Sequence, residues 1–127
     1  MKLRIRGDSL RLRLSPAEVR HLAEAGEVSD EMQVAPGASL AYGVRAADTE
    51  ALAAEFCGRA LTVLVPRVWV GPWAAGDTAG FSGQTSAGAG RTLSLLVETD
   101  AGCRHTRPGE TDEGPPRQRR RSGPSTR

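Results

Sequence analysis

The first fourteen residues of the chain alternate between apolar and charged side chains. A period of two is typical of β-strands, in which successive side chains point to opposite faces of a sheet. Gly7 and Asp8 interrupt the alternation and suit a two-residue hairpin loop between strands 2–6 and 9–14. This loop sets Arg4 opposite Arg11, so the hairpin is predicted to have one apolar face and one cationic face. The apolar set is Leu3, Ile5, Leu10, Leu12 and Leu14, and the charged set is Lys2, Arg4, Arg6, Arg11 and Arg13.

The segment from Ser15 to Gly26 carries the signals of one short helix. Ser15 and Glu18 have the spacing of a capping box, in which each side chain accepts a hydrogen bond from the other residue's backbone N–H. Pro16 suits the first helical position because its φ is already helical. Gly26 suits the left-handed residue that ends a helix. We therefore predict a capped helix whose face around Val19 packs on the apolar face of the hairpin.

Five later segments also alternate and are predicted to be strands. Pro36-Gly37 and Gly58-Arg59 are turn signals between neighbouring strands. In the first segment Val28, Met32 and Val34 are expected to face the core. The five predicted strands cover residues 27–34, 38–45, 51–57, 60–65 and 92–98.

Two other stretches break this pattern. A short second helix could begin at Pro72, and residues 76–90, rich in Gly, Ser and Ala, are predicted to be a loop. No repeat of the solenoid type is found. The predicted fold class is α+β: a mostly antiparallel sheet of about six or seven strands, which could curl into a partial barrel, with one or two short helices.

The net charge of +2 conceals an uneven distribution. Residues 104–127 contain seven arginines and three acidic residues, whereas residues 1–103 contain ten basic and twelve acidic residues. The last 24 residues also lose the apolar periodicity of the rest of the chain. We therefore predict a single α+β domain over residues 1–103 and a disordered Arg-rich tail over residues 104–127.

The sequence also allows a prediction of the cellular compartment of the protein. No run of about 18 apolar residues could span a membrane. The alternating N-terminus lacks the apolar region of a secretory signal peptide. Cys57 and Cys103 are therefore expected to stay reduced in the cytoplasm.

The cationic hairpin face is the first candidate site. Arg4, Arg6, Arg11 and Arg13 could bind an anionic ligand or an acidic protein surface. The alternative is a solvated face that is partly neutralised by acidic residues of a third strand. Asp77, Glu98 and Asp100 could supply those acids.

Two further candidates lie near the C-terminus. Cys103 and His105 could ligate a metal, for which the only other candidate ligands are Cys57, His21 and acids such as Asp100. They could also act as a nucleophile pair, but no third orienting group or oxyanion donor can be named. We assign no catalytic residue, do not expect an enzyme, and expect no cofactor. The second candidate is association with nucleic acid through phosphate contacts of the tail, without aromatic residues for base stacking. The tail's arginine cluster is Arg117, Arg119, Arg120 and Arg121.

Four stretches together suggest a relationship to a known family. They are residues 1–15; Pro36-Gly37 with the strand after it; Trp73-Ala74 with Asp77 and Gly80-Phe81; and Leu93–Val97 with Glu98, Asp100, Cys103 and His105. Together they resemble a small bacterial family described only as a domain of unknown function, DUF7009. The resemblance implies a domain over most of residues 1–105 and a bacterial, cytoplasmic origin, and it supplies no catalytic residue. Where members end in a short acidic segment, this chain has its Arg-rich tail.

Overall fold

Residues 1–100 form two four-stranded sheets and two short helices in the computed structural model, which describes those residues. The elements are β1 Lys2–Arg6, β2 Ser9–Leu14, α1 Pro16–Ala25, β3 Glu27–Ala35, β4 Ala38–Ala47, β5 Ala53–Cys57, β6 Ala60–Pro66, α2 Arg67–Ala74, β7 Gly80–Gly88 and β8 Arg91–Thr99. The first sheet has the strand order β1-β2-β8-β7 and the second has the order β3-β4-β6-β5. In each sheet a parallel pair, β2 with β8 or β4 with β6, joins two antiparallel hairpins.

The two halves of this fold have the same architecture. Each half is a hairpin, a helix and a second hairpin, and its two hairpins belong to different sheets. Elements β5, β6 and α2 begin 51 residues after β1, β2 and α1, and β7 and β8 begin 53 residues after β3 and β4. The second hairpin of each half carries a register shift at the same relative position. The described chain therefore contains two copies of one ββαββ unit.

The hairpin and helix that the N-terminal pattern predicts are confirmed. Arg4 pairs with Arg11 and Ile5 with Leu10, the register of a two-residue loop. The Ser15 Oγ accepts a hydrogen bond from the Glu18 N–H at 3.2 Å, and Glu18 Oε1 accepts one from the Ser15 N–H at 2.8 Å. The N-terminal ammonium group also binds Glu18, at 2.8 Å. The capping box thus anchors the start of β1 to α1.

One apolar core joins the inner faces of both sheets to the two helices. Its sheet members come mainly from the central strands β2, β8, β4 and β6, because these strands are paired on both sides. The helices contribute Val19 and Leu22 from α1 and Val70 and Trp73 from α2. The strand residues of this core are Leu10, Leu12, Leu14, Val44, Ala46, Val63, Val65, Leu95 and Val97.

Some of the predicted inward-facing residues are exposed. Met32 is 48% exposed and Val34 is 61% exposed, so the prediction that both face the core is wrong. The reason is that Ala41 pairs with Ala60, which leaves the tip of the β3–β4 hairpin projecting beyond the start of β6. Ile5 and Phe56, near the ends of β1 and β5, are also exposed. At these strand ends the alternating pattern continues after the core has ended.

The number and limits of the elements need correction. Residues 1–100 contain eight strands rather than six or seven, and these strands form two sheets rather than the predicted single sheet, without closing into a barrel. Residues 80–88, predicted as part of a loop, form β7 because they pair along the length of β8. The second helix begins at Arg67, and Pro72 lies inside it rather than at its start. The coarser assignment, mostly β structure with two short helices, is confirmed.

The predicted domain boundary at residue 103 lies outside the described residues and stays a prediction. Within residues 1–100, neither helix has the length and apolar character needed to cross a bilayer.

Tyr42, the single tyrosine of the chain, provides a pH-dependent probe of the second sheet. Burial raises the pKa of its hydroxyl above the ordinary value of 10.0, and the charges of Asp30 and Glu18 raise the pKa further. The neutral hydroxyl is therefore favoured in the folded state. Its contribution to stability is fully present below about pH 10 and is lost as the pH rises through the higher folded pKa.

We expect the tyrosinate absorbance of the folded protein to titrate with a midpoint above pH 10. In concentrated urea the midpoint should return to about 10, the value for an exposed tyrosine. Tyr42→Phe should abolish the absorbance change and retain more of its stability at alkaline pH than the parent. Equal midpoints in the folded and unfolded protein would contradict the prediction.

Candidate anion-binding face

The candidate site lies on the first sheet, on the side away from the core. Leu10, Leu12 and Leu14 of β2 are buried, so the alternate residues of β2 and the paired residues of β1 point outward. We call this surface the cationic face and define it by Lys2, Arg4, Arg6, Arg11 and Arg13. The hairpin register alone is enough to bring these five side chains together.

Glu98 of β8 partly neutralises this face. Strand β8 runs parallel to β2 and sets Glu98 directly opposite Arg13. Glu98 Oε2 lies 2.9 Å from Arg11 Nε and 3.2 Å from Arg13 Nε. These three atoms are buried but lack hydrogen-bond geometry, so the contact is an ion pair without aligned hydrogen bonds.

Asp100 supplies the second carboxylate. Its residue is only 5% exposed, and its backbone N–H donates to the Leu14 carbonyl at 2.7 Å. The Asp100 carboxylate lies 3.0 Å from the Lys2 ammonium and 3.7 Å from a terminal nitrogen of Arg13. The prediction that acids of a third strand lie beside the hairpin arginines is therefore confirmed for Glu98 and Asp100.

By comparison, no acidic residue within residues 1–100 neutralises the charges of Arg4 and Arg6. Both side chains are exposed, and neither has an ion pair with any residue between 1 and 100. Within residues 1–100, Glu98 and Asp100 contact Lys2, Arg11 and Arg13, so the arginines of this face without a carboxylate partner lie on the edge strand β1.

The turn at the end of β1 has its own ion pair. The Asp8 carboxylate accepts three hydrogen bonds from Arg91, one from Nε at 3.0 Å and two from a terminal nitrogen at 2.7 Å. This interaction raises the pKa of the Arg91 guanidinium, chiefly through the hydrogen bond to Asp8. The Asp8 carboxylate therefore pairs with Arg91 rather than with Arg6, although Arg6 is close to it in the sequence.

A shallow depression that was not predicted from the sequence adjoins the cationic face. It has a volume of about 230 Å³ and is lined by Gly80, Ser82, Leu96 and Glu98 among others. In the sheet, Leu96 is the direct neighbour of Arg11, and Ser82 is the neighbour of Leu96. The depression was missed because residues 80–88 were predicted to be a loop. A small apolar surface therefore lies on the strand next to the arginines of β2.

The other candidate residues are not brought to this face. Asp77 lines a separate cavity of about 220 Å³ with Trp73 and Thr99. Cys57 and His21 are both exposed, and the structure between residues 1 and 100 holds no group of three potential metal ligands. Cys103, His105 and the arginine cluster at 117–121 lie outside the described residues, so metal binding and nucleic-acid association through the tail stay predictions.

Comparison with known proteins places the chain in a family. No curated protein and no solved structure matches it. A family model does match, and its match covers residues 1–119, which includes both halves of the duplication and continues beyond the predicted domain boundary. The chain therefore belongs to the family of unknown function DUF7009, as its opening segment suggested.

Proposed function

We propose that this protein is a non-enzymatic binding domain that receives an anionic ligand or partner on its cationic face. The observation that carries the proposal is the contrast between the two strands of the hairpin. Arg11 and Arg13 on β2 are partly buried against Glu98, whereas Arg4 and Arg6 on β1 are exposed without an ion pair in residues 1–100.

The two strands would have different roles in binding. The paired arginines are held in place by Glu98 and Asp100, so they add positive potential without having to be ordered by the ligand. Arg4 and Arg6 offer guanidinium groups that can donate paired hydrogen bonds to phosphate or carboxylate oxygens. Because they are two residues apart on one strand, their backbone positions are about 7 Å apart. This spacing suits a ligand with two or more anionic groups.

We further propose that the domain works in the bacterial cytoplasm, where phosphorylated metabolites, nucleic acids and acidic proteins are all available. The resemblance of the opening segment to its family supports this location. No catalytic residue was assigned from the sequence, which supports a role in binding rather than in catalysis.

The double substitution Arg4→Glu/Arg6→Glu tests the proposal. Inorganic tripolyphosphate and a short single-stranded oligonucleotide serve as probes in isothermal titration calorimetry at low ionic strength. We expect the variant to bind at least about tenfold more weakly, because each lost charge-assisted contact is worth about 1.5–3 kcal/mol and tenfold is about 1.4 kcal/mol. Parent binding should also weaken as salt is added.

Arg20→Glu is the matched control. Arg20 is exposed on α1, away from the cationic face, and its reversal changes the net charge without altering the sheet. We expect this control to change the dissociation constant by less than about twofold per charge reversed, through long-range electrostatics alone. Equal weakening by the control and the double variant, or no binding by the parent, would refute the proposal.

A further inference from the structure

The two strands β1 and β3 form free edges of opposite charge. Each is bonded to one neighbour only within residues 1–100, β1 to β2 and β3 to β4. Strand β1 carries three cations and no acid, and β3 carries three acids and no cation. The cations are Lys2, Arg4 and Arg6, and the acids are Glu27, Asp30 and Glu31.

Both edges also expose apolar side chains at alternate positions. On β1, Ile5 is 60% exposed. On β3, Met32 is 48% exposed and Val34 is 61% exposed. On β1 the charged and apolar residues alternate between the two faces, whereas on β3 Asp30 shares the face of Met32 and Val34. A free strand edge with exposed residues of this kind can pair with another strand.

We propose that β1 of one molecule pairs with β3 of a second copy of this chain. When the two strands pair in parallel with Arg4 opposite Glu31, an unlike-charge pair forms on the outward side of the new ladder. On the opposite side of the ladder, Ile5 then lies opposite Met32. Opposite charges and apolar pairs placed across neighbouring strands each stabilise a sheet by about 0.2–1 kcal/mol.

The charges also determine which pairing is possible. A symmetric dimer through β3 would place acids opposite acids, and one through β1 would place cations opposite cations, which destabilises a sheet. Of the two edges β1 and β3, only the unlike pair matches in charge, so this association is head-to-tail rather than two-fold symmetric. Such an arrangement adds further copies until it closes into a ring or continues as a chain.

This inference rests on the proposed function in one respect, since it uses the same exposed arginines. It assigns them a specific acidic partner, the β3 edge of another copy. Inorganic polyanions should therefore compete with association of the chain.

Sedimentation of the full chain over a range of concentrations at low ionic strength tests the inference. We expect a mass above the monomer's 13.4 kDa that rises with concentration and falls toward the monomer at about 1 M salt, where charge interactions are screened. Arg4→Glu and Glu31→Lys, each made alone, should weaken association at least tenfold. Far-UV circular dichroism verifies that each variant is folded.

Two complementation experiments make the test specific. The double variant Arg4→Glu/Glu31→Lys should associate again, because its reversed edges still match. An equimolar mixture of the two single variants should also associate, because each contributes one unaltered edge. Glu24→Lys, which reverses an exposed charge on α1, is the control and should leave association unchanged.

A parent that stays monomeric at high concentration and low salt would overturn the inference, as would failure of the double variant to associate. Insensitivity to Arg4→Glu with sensitivity to Glu31→Lys would also overturn it, since β3 would then bind something other than β1. Glu31→Lys should leave tripolyphosphate binding unchanged. A parent that associates but does not bind tripolyphosphate would therefore refute the proposed function and leave this inference standing.

Discussion

Trp73→Ala is expected to lower the free energy of unfolding by about 3–5 kcal/mol, the range for removal of a large aromatic residue from a core. Trp73 lies in α2 and is only 2% exposed. Its ring meets Phe81 edge-on with 5.6 Å between centroids, and Phe81 stacks on Trp69 at 4.8 Å. The Trp73 Nε1–H also donates to the Thr99 hydroxyl at 2.8 Å. The substitution would therefore leave a cavity between α2 and the first sheet.

Urea unfolding followed by circular dichroism measures this loss without depending on the indole signal. Two milder variants separate packing from hydrogen bonding. Thr99→Val removes the acceptor and should cost about 1–3 kcal/mol, because the buried indole N–H loses its partner. Trp73→Phe retains an aromatic ring and should fall between Thr99→Val and Trp73→Ala. A loss below about 1 kcal/mol for Trp73→Ala would contradict the assigned role of this side chain.

Glu98→Ala should lower the free energy of unfolding by about 2 kcal/mol, between the values for buried and exposed ion pairs. Glu98 is the shared partner of Arg11 and Arg13, whose side chains are 36% and 38% exposed. Without the carboxylate, two neighbouring guanidinium groups would repel each other over a partly desolvated surface. The same substitution should strengthen tripolyphosphate binding, because it increases the positive charge of the cationic face.

The second sheet provides a matched control for Glu98. Arg45 and Glu55 form an ion pair of 2.6 Å on its outer surface, with side chains 38% and 46% exposed. Glu55→Ala should cost less than about 1 kcal/mol, because this pair serves a single arginine and is more exposed. Adding Arg11→Met and Arg13→Met to Glu98→Ala should recover most of the lost stability. Equal effects of Glu98→Ala and Glu55→Ala in urea unfolding would contradict the prediction.

Much of the candidate site can be predicted from the first fourteen residues. The alternation of charge and the Gly7-Asp8 loop determine both the hairpin register and the face on which the arginines lie. The capping residues Ser15 and Glu18 likewise determine where α1 begins. These features depend on contacts between residues close in the chain, and local backbone preferences are enough to specify them.

The sequence did not reveal which arginines are free. Arg11 and Arg13 are partly neutralised because β8, about 80 residues later, inserts beside β2 in parallel. Arg4 remains free of ion pairs within residues 1–100 because β1 is left at the edge. A pairing between distant strands leaves no periodic signal in either strand, so composition predicted only that acids could be nearby.

Strand β7 is a second element whose pairing could not be predicted from the local sequence. Residues 80–88 are rich in glycine and serine and have little intrinsic strand preference, yet they pair along β8. Strand pairing and the packing of Phe81 against Trp69 and Trp73 outweigh the local preference. The depression beside the cationic face follows from these small residues and could not be located before β7 was placed.

By itself the sequence determined the first hairpin, its cationic face, the capped helix and membership of the family. Tertiary structure alone decided the division into two sheets, the duplication of the ββαββ unit and the placement of β8 beside β2. Periodicity reports which face of an element is apolar, because that depends on each residue and its near neighbours. The choice of strand partners depends on how two halves of the chain bury those faces together, so it is made only when the whole core assembles.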